Sequence, residues 1–164
     1  GEFTVNIALI ENNKPILGVI YAPVNSVLYF AQENYGSYKI NTNTQLANLT
    51  GSKKIVVSKK SSIERIIGSR SHSNKSFDSW INEKFPNAKI IQAGSSLKFC
   101  LIAEGAADIY PRFGPTSEWD IAAGHIIVNE AGGKISTFEN SEIHYNTKED
   151  LLNPQFYAIG NFKI

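Results

Sequence analysis

The sequence predicts an α/β fold, α+β over the whole chain, in which antiparallel strands precede a region of alternating strands and helices. Three observations predict it. Residues 4–10, 15–22 and 27–31 carry strand-like alternation separated by turn chemistry. From Ile55 onward short apolar strands alternate with helical segments. A long apolar run at helical spacing then ends on a Gly-Gly pair.

The opening run from Gly1 to Ile10 alternates polar and apolar residues from its second position, as a half-buried strand does. Asn12-Asn13-Lys14 and Pro23-Val24-Asn25-Ser26 are turn sequences suited to hairpins between this strand and the next two. Residues 32–54 turn polar, with only short apolar pieces such as Tyr38 to Ile40, and make the best boundary between a region 1–54 and a region 55–164. Beyond it the pattern predicts strands over 66–69, 88–92, 107–110, 134–138 and 156–160, with helices over 76–85, 95–104 and 117–131. The last helix places Trp119, Ala122, Ala123, Ile126, Ile127 and Ala131 near one face. Gly132-Gly133 stops it. The strand that starts at residue 2, in a chain with no Met, predicts that upstream sequence has been removed.

Composition narrows the function. At 164 residues and 42% apolar content the chain can bury one real core, and 16 basic against 15 acidic side chains give no global field toward nucleic acid or an anionic membrane. Lone Cys100 can form neither an internal disulfide nor a multi-cysteine zinc site, and no apolar run reaches membrane-spanning length. These features fit a reducing, cytosolic compartment. Cys100 sits among Leu97, Leu101 and Ile102 as an inert core thiol. His72, His125 and His144 show no zinc spacing, and Trp80, Tyr21 and Tyr29 read as packing residues.

The residues that could carry chemistry cluster in three blocks. Tyr110-Pro111-Arg112-Phe113-Gly114-Pro115-Thr116 leads into Ser117-Glu118-Trp119-Asp120. Asp120 thus falls in the first turn of a helix after a Pro/Gly-rich loop, where a carboxylate can serve a cation beside a phosphate. Mg²⁺ takes hard oxygen ligands, often one or two carboxylates with substrate phosphate, so a single Asp such as Asp120 can be part of such a site but not all of it. The same residue could equally form a capping box with Ser117. Gly94-Ser95-Ser96-Leu97-Lys98, where a strand hands over to a helix, offers backbone N–H groups, hydroxyls and an ammonium to a phosphate. Its ordinary alternative is a Ser cap and a solvated Lys98. Arg70-Ser71-His72 lies in a basic stretch over 53–75 that could meet an anionic substrate or form a solvated face. His72 could touch a base or phosphate, or be an exposed loop residue. Arg112 could grip phosphate bidentately or sit in a surface ion pair.

Trp119-Asp120-Ile121-Ala122-Ala123-Gly124 followed by Glu130-Ala131-Gly132-Gly133 resembles the carboxy-terminal motif of the inositol monophosphatase superfamily. Gly1 to Leu9 with Lys14 to Gly18, Gly94 to Cys100, and Tyr110 to Thr116 narrow the resemblance to its bacterial CysQ branch, the 3′(2′),5′-bisphosphate nucleotidases. It covers nearly the whole chain.

The resemblance implies the carboxy-terminal part of a layered α-β-α-β-α sugar-phosphatase fold, with remaining antiparallel strands of an amino-terminal sheet. It implies a phosphomonoesterase that uses Mg²⁺-activated water to convert adenosine 3′,5′-bisphosphate to AMP and phosphate, without a covalent enzyme intermediate. Asp120 would ligate the metal, and His72, Ser95, Lys98, Arg112 and Asp120 would meet the substrate. A Glu pair and an Asp-Pro-x-Asp-Gly-Thr motif that supply the family's other metal ligands do not occur in these 164 residues. The chain alone is therefore expected to be nearly inactive. The expected setting is cytoplasmic, at most peripheral to the inner membrane. Alternative readings are an inositol or sugar phosphate phosphatase of the same superfamily and a non-catalytic nucleotide-binding module; nucleic acid is not an expected partner.

Overall fold

The computed structural model describes residues 2–42, 49–69 and 75–162. Five strands form an antiparallel meander: β1 (Val5–Glu11), β2 (Lys14–Ala22), β3 (Val27–Gln32), β4 (Gly36–Asn41) and β5 (Lys53–Ile55). The β1–β2 turn puts Asn12 and Asn13 at φ +48° and +63°, left-handed positions that Asn tolerates and a tight hairpin requires. A single 3-10 turn over Pro23–Asn25, closed by Ser26 at φ +50°, joins β2 to β3. The three strands read from the sequence are thus present. β4 lies inside the stretch read as polar and β5 crosses its end at Ile55, both unread because Gly36, Ser37, Lys39, Lys53 and Lys54 hide their pairing with β3 and with each other. Tyr38 is the visible remnant, stacked on Phe30 with ring centroids 5.6 Å apart.

The second sheet comprises β6 (Arg65–Ser69), β7 (Lys89–Ala93), β8 (Ile109–Arg112), β9 (Lys134–Thr137) and β10 (Phe156–Ile159), in the order β7-β6-β8-β10-β9. β6 runs parallel to β7 and β8, and β10 antiparallel to β8 and β9. Helices α1 (Lys75–Lys84), α2 (Leu97–Ala103) and α3 (Glu118–Glu130) fall within two residues of the expected limits.

α3 explains how the two sheets become one body. Ile121 to Val128 are all buried, so the helix is apolar on every side, as a central helix must be. It packs on β1 to β4 on one side and on β9, β10 and α2 on the other. One cluster joins Ile20 and Tyr29 of the first sheet to Phe99, Ile127 and Phe156. α1 closes the far face of the second sheet, where Trp80 meets Phe85 and Phe138 at 5.2 and 5.8 Å between centroids. The order of layers is β-α-β-α.

One expectation is corrected. Trp119 does not join the core face of α3 but stands 62% exposed in its first turn. Cys100 is fully buried, and burial pushes its thiol well above the ordinary range.

Candidate active site

Ser95, Lys98, Arg112 and Asp120 line one cleft of about 360 Å³, together with Thr4, Asn6, Ser96, Tyr110 and Thr116. Four segments deliver the four predicted residues. The loop after β7 carries Ser95, the first turn of α2 carries Lys98, β8 ends on Arg112, and the first turn of α3 carries Asp120.

Lys98 is not the solvated helix residue that its type suggests. It is 8% exposed, and its Nζ lies 5.4 Å from the centroid of the Tyr110 ring. Burial, with the neighbouring Arg112 cation, pulls its ammonium down to about 8, against the pull of Glu2 and Asp120. Tyr110 is buried under Phe99 and Phe156, and burial pushes its phenol up to about 12, so it remains a neutral wall. Arg112 donates through Nη2 to Pro115 O at 3.0 Å, while its buried Nε finds no partner among the described residues. No ion pair engages Arg112 among those residues. Two cations therefore face a polar cleft, an arrangement that attracts an anion with more than one negative charge.

Asp120 is exposed at the mouth of the cleft. Its Oδ2 accepts from the Ser117 N–H at 2.8 Å, so the capping interaction anticipated from sequence is present. That bond occupies one oxygen and leaves Oδ1 for another partner. The residue thus fits Mg²⁺ as one ligand. Among the described residues no group of three or more His, Cys, Asp or Glu side chains is placed to hold a metal ion.

The loop Gly94–Ser96 is gripped from across the cleft. Gly94 N–H donates to Glu2 Oε2 at 2.6 Å, Thr4 Oγ1 and Ser95 Oγ share a hydrogen bond at 2.6 Å, and Asn6 Nδ2 donates to Ser96 Oγ at 2.9 Å. Ser96 Oγ donates in turn to Asp120 O at 3.2 Å. Ser95 sits at φ +51°, a conformation uncommon outside Gly and Asn and one that needs support. Sequence reasoning missed Thr4, Asn6 and Tyr110. A signal for the first two exists: polar residues at 2, 4 and 6 share the face of the strand opposite Phe3, Val5 and Ile7.

His72 lies outside the described residues, as do Arg70 and Ser71. The remaining basic stretch does not converge on the cleft. Lys60 pairs with Glu64 and Arg65 with buried Asp108, while Lys53 and Lys54 belong to β5. His125 is buried in α3 with Nδ1 2.8 Å from Tyr145 Oη, and burial pulls its imidazole down to about 4.

The profile of the inositol monophosphatase family matches residues 1–159. A 3′(2′),5′-bisphosphate nucleotidase CysQ of Buchnera aphidicola is 47% identical over 160 residues, 96% of this chain and 57% of that protein. The Escherichia coli K12 protein of that description is 41% identical over 156 residues, 95% of this chain and 59% of that protein. The crystal structure of CysQ from Bacteroides thetaiotaomicron superposes with a TM-score of 0.87 at 39% identity, over 98% of this chain and 63% of that one. This chain thus spans less than two thirds of the length of these relatives.

Proposed function

Because this chain belongs to the inositol monophosphatase family, we propose that it supplies the substrate-binding part of a phosphomonoesterase that hydrolyses adenosine 3′,5′-bisphosphate to AMP and phosphate. The observation that carries this reading is the convergence of Ser95, Lys98, Arg112 and Asp120 on one cleft, with Lys98 buried and paired to a ring rather than a carboxylate. A buried ammonium without a carboxylate partner is costly by itself, and an anionic ligand offsets that cost.

In this reading Arg112 offers its planar donors to one phosphate and Lys98 a point charge to the other. The Ser95 hydroxyl and the loop amides complete the oxygen contacts; the expected nucleotide contact of His72 falls outside the described residues. Asp120 would hold Mg²⁺ together with substrate oxygens. When bound, the metal lowers the pKa of a water and shields the phosphoryl oxygens. The water oxygen would bond to phosphorus as the bond to the 3′ oxygen breaks, one water proton passing to that oxygen, so that the nucleotide leaves as AMP and the rest as phosphate. The chain's own contribution is positioning and electrostatic stabilisation of the transferred group. Thr4 and Asn6 line one side of the cleft, and Lys98, Arg112 and Asp120 supply its charged groups.

With Asp120 as its one assigned metal ligand, the 164-residue chain is expected to bind weakly and turn over little. That expectation keeps a purely nucleotide-binding role as the second reading. No helix of the described residues is long and apolar enough to cross a membrane.

A chimera in which this chain replaces the portion of the Buchnera aphidicola protein that it matches tests the reading. It is expected to release phosphate from adenosine 3′,5′-bisphosphate with Mg²⁺ and to lose at least about a hundredfold in rate on Asp120→Asn. Release from inositol 1-phosphate in preference to the nucleotide would replace the proposed substrate. A folded chimera inactive on both would defeat the reading.

A further inference from the structure

Glu2 and Thr4, in the segment that leads into β1, and Asn6 of β1 bond three consecutive residues of the loop: Glu2 to Gly94, Thr4 to Ser95 and Asn6 to Ser96. The three bonds follow in order because burial alternates from residue 2 onward, with Glu2, Thr4 and Asn6 half-buried on the side that meets the loop and Phe3, Val5 and Ile7 exposed on the other. The third rung continues through Ser96 Oγ to the backbone oxygen of Asp120. One chain of hydrogen bonds therefore links the first strand, the phosphate-facing loop and the turn bearing the metal-facing carboxylate.

We propose that Thr4 and Asn6 are positioning residues which fix the Gly94–Ser96 loop, and through it the Asp120 turn, at the spacing that a phosphate with its cation requires. The inference rests on the cleft being a phosphate site, as read above. It deepens that reading by assigning the two residues that set its geometry. Thr4 holds Ser95 in its left-handed conformation: the shared hydrogen bond opposes relaxation to an ordinary φ, which would swing the Ser95 hydroxyl and the following amide out of line. Asn6 acts one residue later and reaches further, since it donates to the Ser96 hydroxyl that in turn donates to Asp120 O, and loss of its amide leaves that hydroxyl held from one side alone. Glu2 supports the first rung by accepting from the Gly94 amide. The opposite face of the strand, with Phe3, Val5 and Ile7, makes none of these contacts, so the polar alternation of residues 2, 4 and 6 serves the site as well as the sheet.

The test pairs ligand titration with amide hydrogen exchange on this chain. Titrated with adenosine 3′,5′-bisphosphate and Mg²⁺ by NMR, Thr4→Val is expected to bind about three- to tenfold more weakly than the wild-type chain. Thr4→Ser, which keeps the hydroxyl, is expected to bind within about twofold of wild type, and the Thr4→Val effect to vanish in a Ser95→Ala background. A role in strand stability alone would move none of these contrasts. Without ligand, Thr4→Val and Asn6→Ala are expected to speed exchange at the Ser95 and Ser96 amides, and Asn6→Ala also at Asp120. Unchanged exchange in both variants overturns the inference whatever the ligand does. Wild-type affinity in Thr4→Val, with Ser95→Ala weakened, also overturns it while leaving the phosphate site standing. Faster exchange with no saturable binding by the wild-type chain supports the ladder and removes the phosphate reading instead.

Discussion

At the scale of single residues, Lys98 shows how burial and function meet. Its aliphatic stem fills core space beside Phe99 while its ammonium faces the cleft over Tyr110, an amphipathic placement that a long side chain makes possible. Burial lowers its pKa to about 8, so in the free protein its charge is full well below that pH and lost above it. Anion binding that uses this charge should weaken as pH rises through 8, by up to about tenfold per unit. Lys98→Met should bind less tightly below pH 8 and show a flatter profile above it. Binding titrations from pH 6.5 to 9.5 measure both. The sequence showed Lys98 and Arg112 as candidates but left each with an ordinary alternative, because exposure decides between them and exposure comes from tertiary packing. Asp120 resolved differently: it caps its helix through one oxygen and keeps the other available, so its two readings are compatible.

At the scale of elements, the position of the site follows from how closely α3 approaches the first sheet. A Cβ at Gly18 would stand 2.6 Å from Ala123 O and 3.0 Å from Ala123 Cα, and backbone cannot yield as a side chain tip can. Gly18→Ala should therefore force β2 and α3 apart and cost about 1–3 kcal/mol. Urea unfolding should show a lower midpoint with an unchanged slope. Gly124 plays the same part toward α2, with Phe99 Cγ 2.5 Å from where its Cβ would be. The period of α3 was legible because its apolar residues are continuous and its Gly-Gly stop is plain. Its outer end was not: Trp119 follows the helical period yet stands exposed, and periodicity carries no information about where a partner surface ends. β4 and β5 were hidden for the opposite reason, since their stability comes from ladder pairing rather than from an apolar pattern of their own.

At the scale of the molecule, the first sheet presents two unlike faces. The inner face is sealed by α3, whereas Phe3, Val5, Ile7 and Leu9 stand 49% to 61% exposed on the outer one. Val5, Ile7 and Leu9 lie on β1, an edge strand of the described sheet, and Phe3 just before it. The alternation that gives β1 this apolar outer side also gives it the polar side that holds the Gly94–Ser96 loop, so the strand and the site are specified by one pattern. The strand was readable from sequence; its reach to residues about ninety positions away was not, because pairing across that separation depends on the whole fold. The titration of the 164-residue chain with adenosine 3′,5′-bisphosphate, AMP and inositol 1-phosphate, followed through the amides of Gly94 to Lys98 and of Asp120, tests the central claim most directly. The cleft reading predicts saturable shifts at those amides, largest and at the lowest concentration for the bisphosphate with Mg²⁺, and weaker ones for AMP. Equal affinity for all three ligands, or shifts confined to other surfaces, would contradict it.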